Sequence, residues 1–530
     1  MSSTSILQEP AVVAPSGKDR TGRSRLVSNV LFTWGGQMVF FVSGFIMPRM
    51  IDHKLGREVL GVWDFSWSLV AYFKFVEMGV TSSVNRFVAR YWGTHDIEGI
   101  NRVVSSATLA LVIAAGVILL GTIGAVVTVP YWFGSDLKGY LSVTQGSVFW
   151  LGAMLSAQTA LGAFNGVLTG CHRWELQTMR NSLWQFITVV GMLTALWLGF
   201  GLVAVAAITA ICQIFGQLTM VTLAYRACPG LSIKRSYVHK GTIKELYIYS
   251  GKTLLPTGAE MLLNQTISVM IVGALGPAAL AIFTRPRALL RQLDSLERKM
   301  GMILIPTTSS MEGQDDKKGI VNLLIKGVRY SLYLALPFLL VLIVFGGFVM
   351  RIWMGPDYAI DLIPAILAIG FIGVTVQEPV LAILIGLNAH GRGGLAQLIA
   401  SIVSVILAFV LQRYFHAGLV GMAVAITVPL LIISFVYLPW MVCRHLEMNL
   451  GMFFRDAMGQ PMLHMLPFLV SLIIARMTYQ SYPLIAVLSL AAGTVSLLRF
   501  YWRSVLPDRM KNGLVRFITR KVHGKHSLPQ

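Results

Sequence analysis

Apolar runs of about twenty residues, separated by short polar stretches, fill this chain from near residue 29 to near residue 502. A run of that length crosses a hydrocarbon core of about 30 Å as an α-helix. Fourteen spans are predicted, at 29–50, 60–80, 103–128, 143–167, 180–199, 203–225, 251–275, 277–306, 327–350, 361–387, 394–412, 418–440, 461–477 and 482–502. The pattern therefore predicts an all-α polytopic membrane protein.

The pattern also repeats. Leu55-Gly56-Arg57-Glu58-Val59-Leu60-Gly61-Val62-Trp63 returns about 220 residues later as Leu275-Gly276-Pro277-Ala278-Ala279-Leu280-Ala281-Ile282-Phe283. Tyr131-Trp132-Phe133-Gly134 returns as Ile352-Trp353-Met354-Gly355, and the run from Gly201 to Thr209 as Gly418 to Thr427. Two six-helix pseudo-symmetric lobes follow, spans 1–6 and 7–12, plus two C-terminal helices. The expected organisation is a tail over 1–25, a first lobe over 26–225, a linker over 226–250 and a second lobe over 251–445. Spans 13 and 14 occupy 446–502, and a basic tail occupies 503–530. Two like-oriented lobes facing a cavity is a transporter plan.

Composition agrees. The 530 residues are 55% hydrophobic and 12% charged, with mean hydropathy +0.69, too little charge for a soluble chain of this size. Residues 1–25 are polar and hold Lys18, Arg20, Arg23 and Arg25. They lack the apolar core of a signal peptide, so the first span is expected to be retained, with its tail in the cytoplasm. Cys171, Cys212, Cys228 and Cys443 form no CxxC pair and no zinc spacing, so free thiols and no metal are expected. No cofactor motif is present.

The net charge of +20 would suggest nucleic acid for a soluble protein, but here most of it lies in loops. Even-numbered loops hold Arg86, Arg90 and Arg102, then Arg173 and Arg180, then Arg226, Lys234, Arg235, Lys240 and Lys244, then Lys317 and Lys318. Odd-numbered loops are poorer, with Lys54 and Arg57, then Lys138, then Arg351. That asymmetry predicts both termini in the cytoplasm and anionic membrane lipids, not nucleic acid, as partners. The odd-numbered loops are too short for an external catalytic domain, so an enzyme is not expected.

Charge inside the spans carries the candidate chemistry. Span 8 holds Arg285, Arg287, Arg291, Asp294, Glu297, Arg298 and Lys299. Arg285 lies about 12 Å and Arg291 about 21 Å along it, at mid-membrane depth. Arg287, Arg291, Asp294 and Arg298 share one helical face. A charge facing lipid there costs at least about 2.5–3.5 kcal/mol, so the face is expected to line a polar cavity. Arginine grips phosphate in a bidentate way, which suits a pyrophosphate. An alternative reading is a structural ion-pair ladder with Asp294 and Glu297, or an interfacial helix. Span 2, the repeat-equivalent helix, carries Asp64, Lys74 and Glu77. Lys74 joins Arg285, Arg287, Arg291 and Arg298 as a candidate for the anionic head group. Glu260, Glu378, Asp64 and Glu77 are candidates for ion coupling, by proton or sodium. Asn264-Gln265-Thr266 is a formal sequon within a span, out of reach of glycosylation.

At this point the chain resembles a known group. The LGxxxLGVW turn, Arg86-Phe87-Val88-Ala89 with His95-Asp96-Ile97-Glu98 and Asn101, and Gly166-Val167-Leu168-Thr169-Gly170 with His172-Arg173 carry the likeness. Asn388-Ala389-His390-Gly391-Arg392 echoes the last of these. They resemble the polysaccharide flippases of the multidrug/oligosaccharidyl-lipid/polysaccharide exporter superfamily. The resemblance implies twelve to fourteen helices around a central cavity. It implies alternating access that moves a lipid-linked oligosaccharide across the bacterial inner membrane for O-antigen, capsule or exopolysaccharide, alongside glycan polymerase or other assembly proteins. The pyrophosphate would meet Arg285, Arg287 and Arg291, matched by helix and depth. The rival is a cation-coupled multidrug antiporter of the same superfamily, which the excess of arginine in span 8 disfavours.

Overall fold

A computed structural model describes residues 23–77, 79–251, 254–505 and 511. The expectations for the two tails fall largely on residues 1–22, 506–510 and 512–530, outside the described residues. Among the described residues the chain is helical, without a strand.

α1 (Arg23–Leu55) turns through Gly56 into α2 (Arg57–Phe73), which passes through a 3-10 turn at Lys74–Glu77. α3 (Val80–Gly93) and α4 (Ile97–Phe133) follow, then α5 (Leu141–Ala160), α6 (Gly162–Gly170), α7 (Trp174–Trp197) and α8 (Leu202–Ala227). The second half runs α9 (Lys240–Gly251), α10 (Leu254–Leu275), α11 (Pro277–Glu312) and α12 (Lys317–Met354). It continues with α13 (Leu362–Gly386), α14 (His390–Phe415), α15 (Gly418–Ile432) and α16 (Leu438–His445). α17 (Leu450–Phe453), α18 (Gln460–Thr478) and α19 (Pro483–Phe500) follow.

Among the described residues ten helices are long and apolar enough to cross a membrane, or eleven if α5 and α6, bent by 47°, form one span. The chain is a multi-pass membrane protein. The other three predicted spans fall on α1, α7 and α11, of 33, 24 and 36 residues. The apolar run of α11, not its helix, is interrupted by charges, and α7 begins with Glu175, Gln177, Arg180 and Asn181. Two spans read as continuous are not: span 2 breaks after Phe73, and span 4 bends at Leu161.

The repeat reaches into backbone detail. Gly56 (φ 94°) and Gly276 (φ 83°) are 220 residues apart and cap α2 and α11 in a conformation that disfavours any side chain. His95 and Asp315, also 220 apart, both take positive φ. The next residue caps a helix in each case: Asp96 accepts from Gly99 N at 2.7 Å and Asp316 from Gly319 N at 2.8 Å. The same helix pairs pack in both halves. α1–α7 matches α10–α14, α2–α5 matches α11–α13, and α4–α5 matches α12–α13. α5–α8 matches α13–α15, and α7–α8 matches α14–α15.

The halves meet chiefly where α2 lies against α10 and α11. The approach is close enough that a Cβ at Gly61 would sit 1.8 Å from the Pro277 carbonyl oxygen, so only glycine fits. The α1–α2 corner marks one end of the bundle, here the corner end. The segment between α8 and α10 marks the other, the linker end. α18 packs on α12 and α19, and Arg329 of α12 donates to the Asp456 carbonyl at 3.0 Å, within a π-helical turn that precedes α18.

Candidate functional site

Two cavities flank α11. The central one, about 690 Å³, lies between α1, α2, α10 and α11. The side one, about 490 Å³, lies inside the second half between α10, α11, α13, α14 and α15. Arg287 and Arg291 of α11 and Glu260 and Asn264 of α10 line both. These four side chains form the shared wall.

The repeat axis passes through the central cavity. Thr284 donates to Asp64 Oδ2 at 2.5 Å, and these residues stand 220 apart, so equivalent positions of the two halves touch. Arg285 forms an ion pair with the same carboxylate, its side chain 4% exposed and that of Asp64 16%. A buried cation needs such a partner, because the low dielectric penalises it when alone. The sequence groups Arg285 with Arg287 and Arg291 as head-group ligands. In the structure its guanidinium is committed to Asp64, one of the expected ion-coupling acids.

The remaining arginines are placed differently. Arg287 donates to Asn264 Oδ1 and lies over the Phe283 ring, 5.6 Å from its centre. Arg291 is exposed to the cavities and makes no hydrogen bond or ion pair among the described residues. Arg298, in the side cavity, reaches Asp294 at 2.8 Å and Glu260 at 3.3 Å. Glu378 of α13 lines the same cavity. Lys74 and Glu77 line neither. Lys74 is exposed on the 3-10 turn, and Glu77 accepts from Thr81 at 2.5 Å.

Sequence reasoning passed over Asn264, which it saw only as part of a sequon. The available signal was an amide deep in an apolar span, which costs free energy unless a partner meets it. Its partner, Arg287, lies on the next helix.

The corner end is clasped shut. Tyr358 donates to Asp52 Oδ1 at 2.5 Å, and Arg57 pairs with Asp357. Arg49 donates to the carbonyls of Ile352 and Trp353, and Trp353 Nε1 donates to the Phe45 carbonyl at 2.9 Å. All of these contacts join the α1–α2 corner to the α12–α13 corner. Burial first, then the hydrogen bond to Asp52 and its charge, push the Tyr358 phenol far above its ordinary range, so it remains a donor. Farther from the corner, Tyr72 of α2 and Thr266 of α10 share a hydrogen bond of 2.7 Å.

Comparison with known proteins agrees with this architecture. Residues 148–360 match the family of polysaccharide biosynthesis proteins. The chain is 24% identical over 446 residues to the uncharacterized membrane protein EpsK of Bacillus subtilis, covering 79% of this chain and 83% of that one. It is 22% identical over 429 residues to the "Putative O-antigen transporter" of Shigella flexneri, covering 77% and 97%. In fold it is similar to the lipid II flippase MurJ in an inward closed conformation, with TM-score 0.68 and 11% identity over 91% of this chain and 100% of that one. An inward-facing multidrug resistance transporter of the MATE family superposes with TM-score 0.62 and 17% identity, over 78% and 95%. Over residues 148–360 the chain is thus similar to the polysaccharide biosynthesis proteins, and its fold is the one seen in MurJ and in the MATE transporter.

Proposed function

We propose that this protein is a flippase. It carries a polyprenyl-pyrophosphate-linked oligosaccharide across the bacterial inner membrane by alternating access, for O-antigen, capsule or exopolysaccharide assembly. One observation carries the reading: Arg287 and Arg291 stand on the wall of the central cavity, with Arg291 in no hydrogen bond or ion pair among the described residues. Two guanidinium groups at that depth bind a pyrophosphate well and repel a cationic drug. The sugar occupies the cavity, and the polyprenyl tail stays in the lipid.

The rest of the proposal follows the loop charges. The chain crosses the membrane fourteen times as two six-helix lobes plus spans 13 and 14, with both termini in the cytoplasm. The corner end is then periplasmic, and its clasp closes the outer side in this conformation. The substrate loads from the inner leaflet, and the clasp opens for release. Basic loops at the linker end lie against anionic lipid head groups. Glu260 and Glu378 of the side cavity serve ion coupling, and a glycan polymerase or another assembly protein receives the product.

Complementation tests this. A strain lacking the gene is scored for surface glycan after restoration with wild type or with Arg287→Glu plus Arg291→Glu. Wild type restores the glycan and the charge-reversed form does not. Equal export by both would contradict the reading. Tolerance to cationic dyes in the same strains, altered with the glycan intact, would point to the multidrug antiporter instead.

A further inference from the structure

Glu297 has no role in the site described above. It lies on α11 one turn beyond Asp294, 1% exposed, and neither carboxylate oxygen has a hydrogen-bond partner. Asp294 Oδ1 is likewise buried and without a partner, while Asp294 Oδ2 holds Arg298. The hydroxyl of Thr375 on α13 faces Glu297. That hydroxyl commits its single hydrogen to the Phe371 carbonyl at 3.1 Å. It can still accept. A protonated Glu297 can donate to it and be satisfied, whereas an ionised Glu297 is offered only this one hydroxyl, which must first leave the Phe371 carbonyl. Burying an ionised carboxylate without a donor is among the costliest arrangements in a protein interior.

The neighbouring charges point the same way. Asp294 on α11 and Glu378 on α13 both act on Glu297 with its own sign. α10 brings Glu260, which is turned to Arg298. α2 and α12 also pack against α11, and among the described residues neither sets a charge that acts on Glu297.

We propose that Glu297 is a proton-binding site, built into the seam between α11 and α13 and separate from the coupling acids Glu260 and Glu378 of the side cavity, and that its protonation state sets how α11 and α13 pack. With the proton in place, α11 and α13 stay packed beside the side cavity. Its loss adds a third carboxylate charge beside Asp294 and Glu378, where Arg298 already serves Asp294, and loosens the α11–α13 contact. α11 also carries Arg285, Arg287 and Arg291, so that movement reaches the central cavity directly. The proposal depends on the transporter reading only for what the change in packing serves, and its test reads the protein alone.

The test is infrared pH-difference spectroscopy on the purified full-length chain in lipid nanodiscs. The wild type should show, at neutral pH, the carbonyl stretch of a protonated and weakly hydrogen-bonded carboxyl, and lose it on alkalinisation. Glu297→Gln should lose that band, and Glu378→Gln should keep it. Thr375→Val should keep it but shift it to higher frequency, because the acceptor is gone. A wild type without the band, or Glu297→Gln with the band undiminished, would overturn the proposal. So would its loss in Glu378→Gln alone, which would move the proton into the cavity. If Glu297→Gln does not fold, Thr375→Val decides: an unshifted band excludes Glu297. Failure here leaves the glycan complementation untouched, and failure there leaves this band untouched.

Discussion

α2 and α11 occupy the same place in the two halves, yet one is broken and the other is not. α2 ends at Phe73, turns through Lys74–Glu77 and restarts at Val80 as α3. α11 runs unbroken for 36 residues. The deciding position is Gly79, with φ 71°, whose equivalent 220 residues on is Lys299, inside the helix. Glycine admits the left-handed turn, while lysine and the Asp294–Arg298 pair one turn apart favour continuation. The break decides where charge goes. Lys74 aligns with Asp294 and Glu77 with Glu297. In the first half these charges stop at the break, away from both cavities. In the second they are carried along the cavity wall and into the α11–α13 seam. A repeat of sequence thus gives a repeat of packing without a repeat of chemistry.

The largest effect should come from parting the two helices where they share the repeat axis. Arg285→Leu leaves Asp64 a buried charge without its ion-pair partner, held only by the Thr284 hydroxyl. Loss of one partner from a buried pair costs about 3–5 kcal/mol. Thermal unfolding in detergent should fall sharply for Arg285→Leu and recover in part when Asp64→Leu is added. A double variant no more stable than the single one would show that the pair does not join the halves.

Next comes an exchange of break for continuity. Ser295→Pro imposes on α11 the interruption that α2 has, at a cost of about 3 kcal/mol or more. It should abolish glycan export even where protein is made. The reverse change, Gly79→Ala, places a side chain in the left-handed region and costs roughly 1–2 kcal/mol. It should lower stability while leaving export measurable. Equal effects of the two on export would erase the distinction between the helices.

A smaller effect concerns pH. The raised Tyr358 phenol favours its neutral form while the clasp is closed. That contribution is fully present below the ordinary tyrosine value of 10.0 and is lost as pH rises above it. Cysteine accessibility engineered at the corner end should stay constant through neutral pH and increase only in strong alkali. An opening near neutral pH would assign the clasp to another group. The smallest effect belongs to Lys74→Ala: exposed and clear of both cavities, it should leave export close to wild type, whereas Arg291→Ala should not.

Much of this was legible in the chain because membrane helices announce themselves by length and apolarity. The register of 220 residues was legible too, and it placed Gly56 with Gly276 and α2 with α11. Three things were not. The 3-10 break hid inside an apolar run, because its signal is a single glycine whose φ the sequence does not state. The fate of Arg285 was hidden because its partner, Asp64, lies 221 residues away across the interface between the halves. Glu297 was read as a neighbour of the arginines, since spacing gives the face of a residue but not whether a donor waits there. Pairing across helices is a property of packing, and the pattern along one helix does not contain it.

The central claim is that the second half alone supplies the anion-binding wall, through Arg287 and Arg291. The most direct measurement is binding of undecaprenyl pyrophosphate to the purified chain in nanodiscs, with undecaprenol as the uncharged control. The account predicts preference for the pyrophosphate lipid in wild type and in Lys74→Glu. It predicts loss of at least about tenfold, or 1.4 kcal/mol, in Arg287→Glu plus Arg291→Glu. Equal affinity of wild type and the double variant for the pyrophosphate lipid would contradict it.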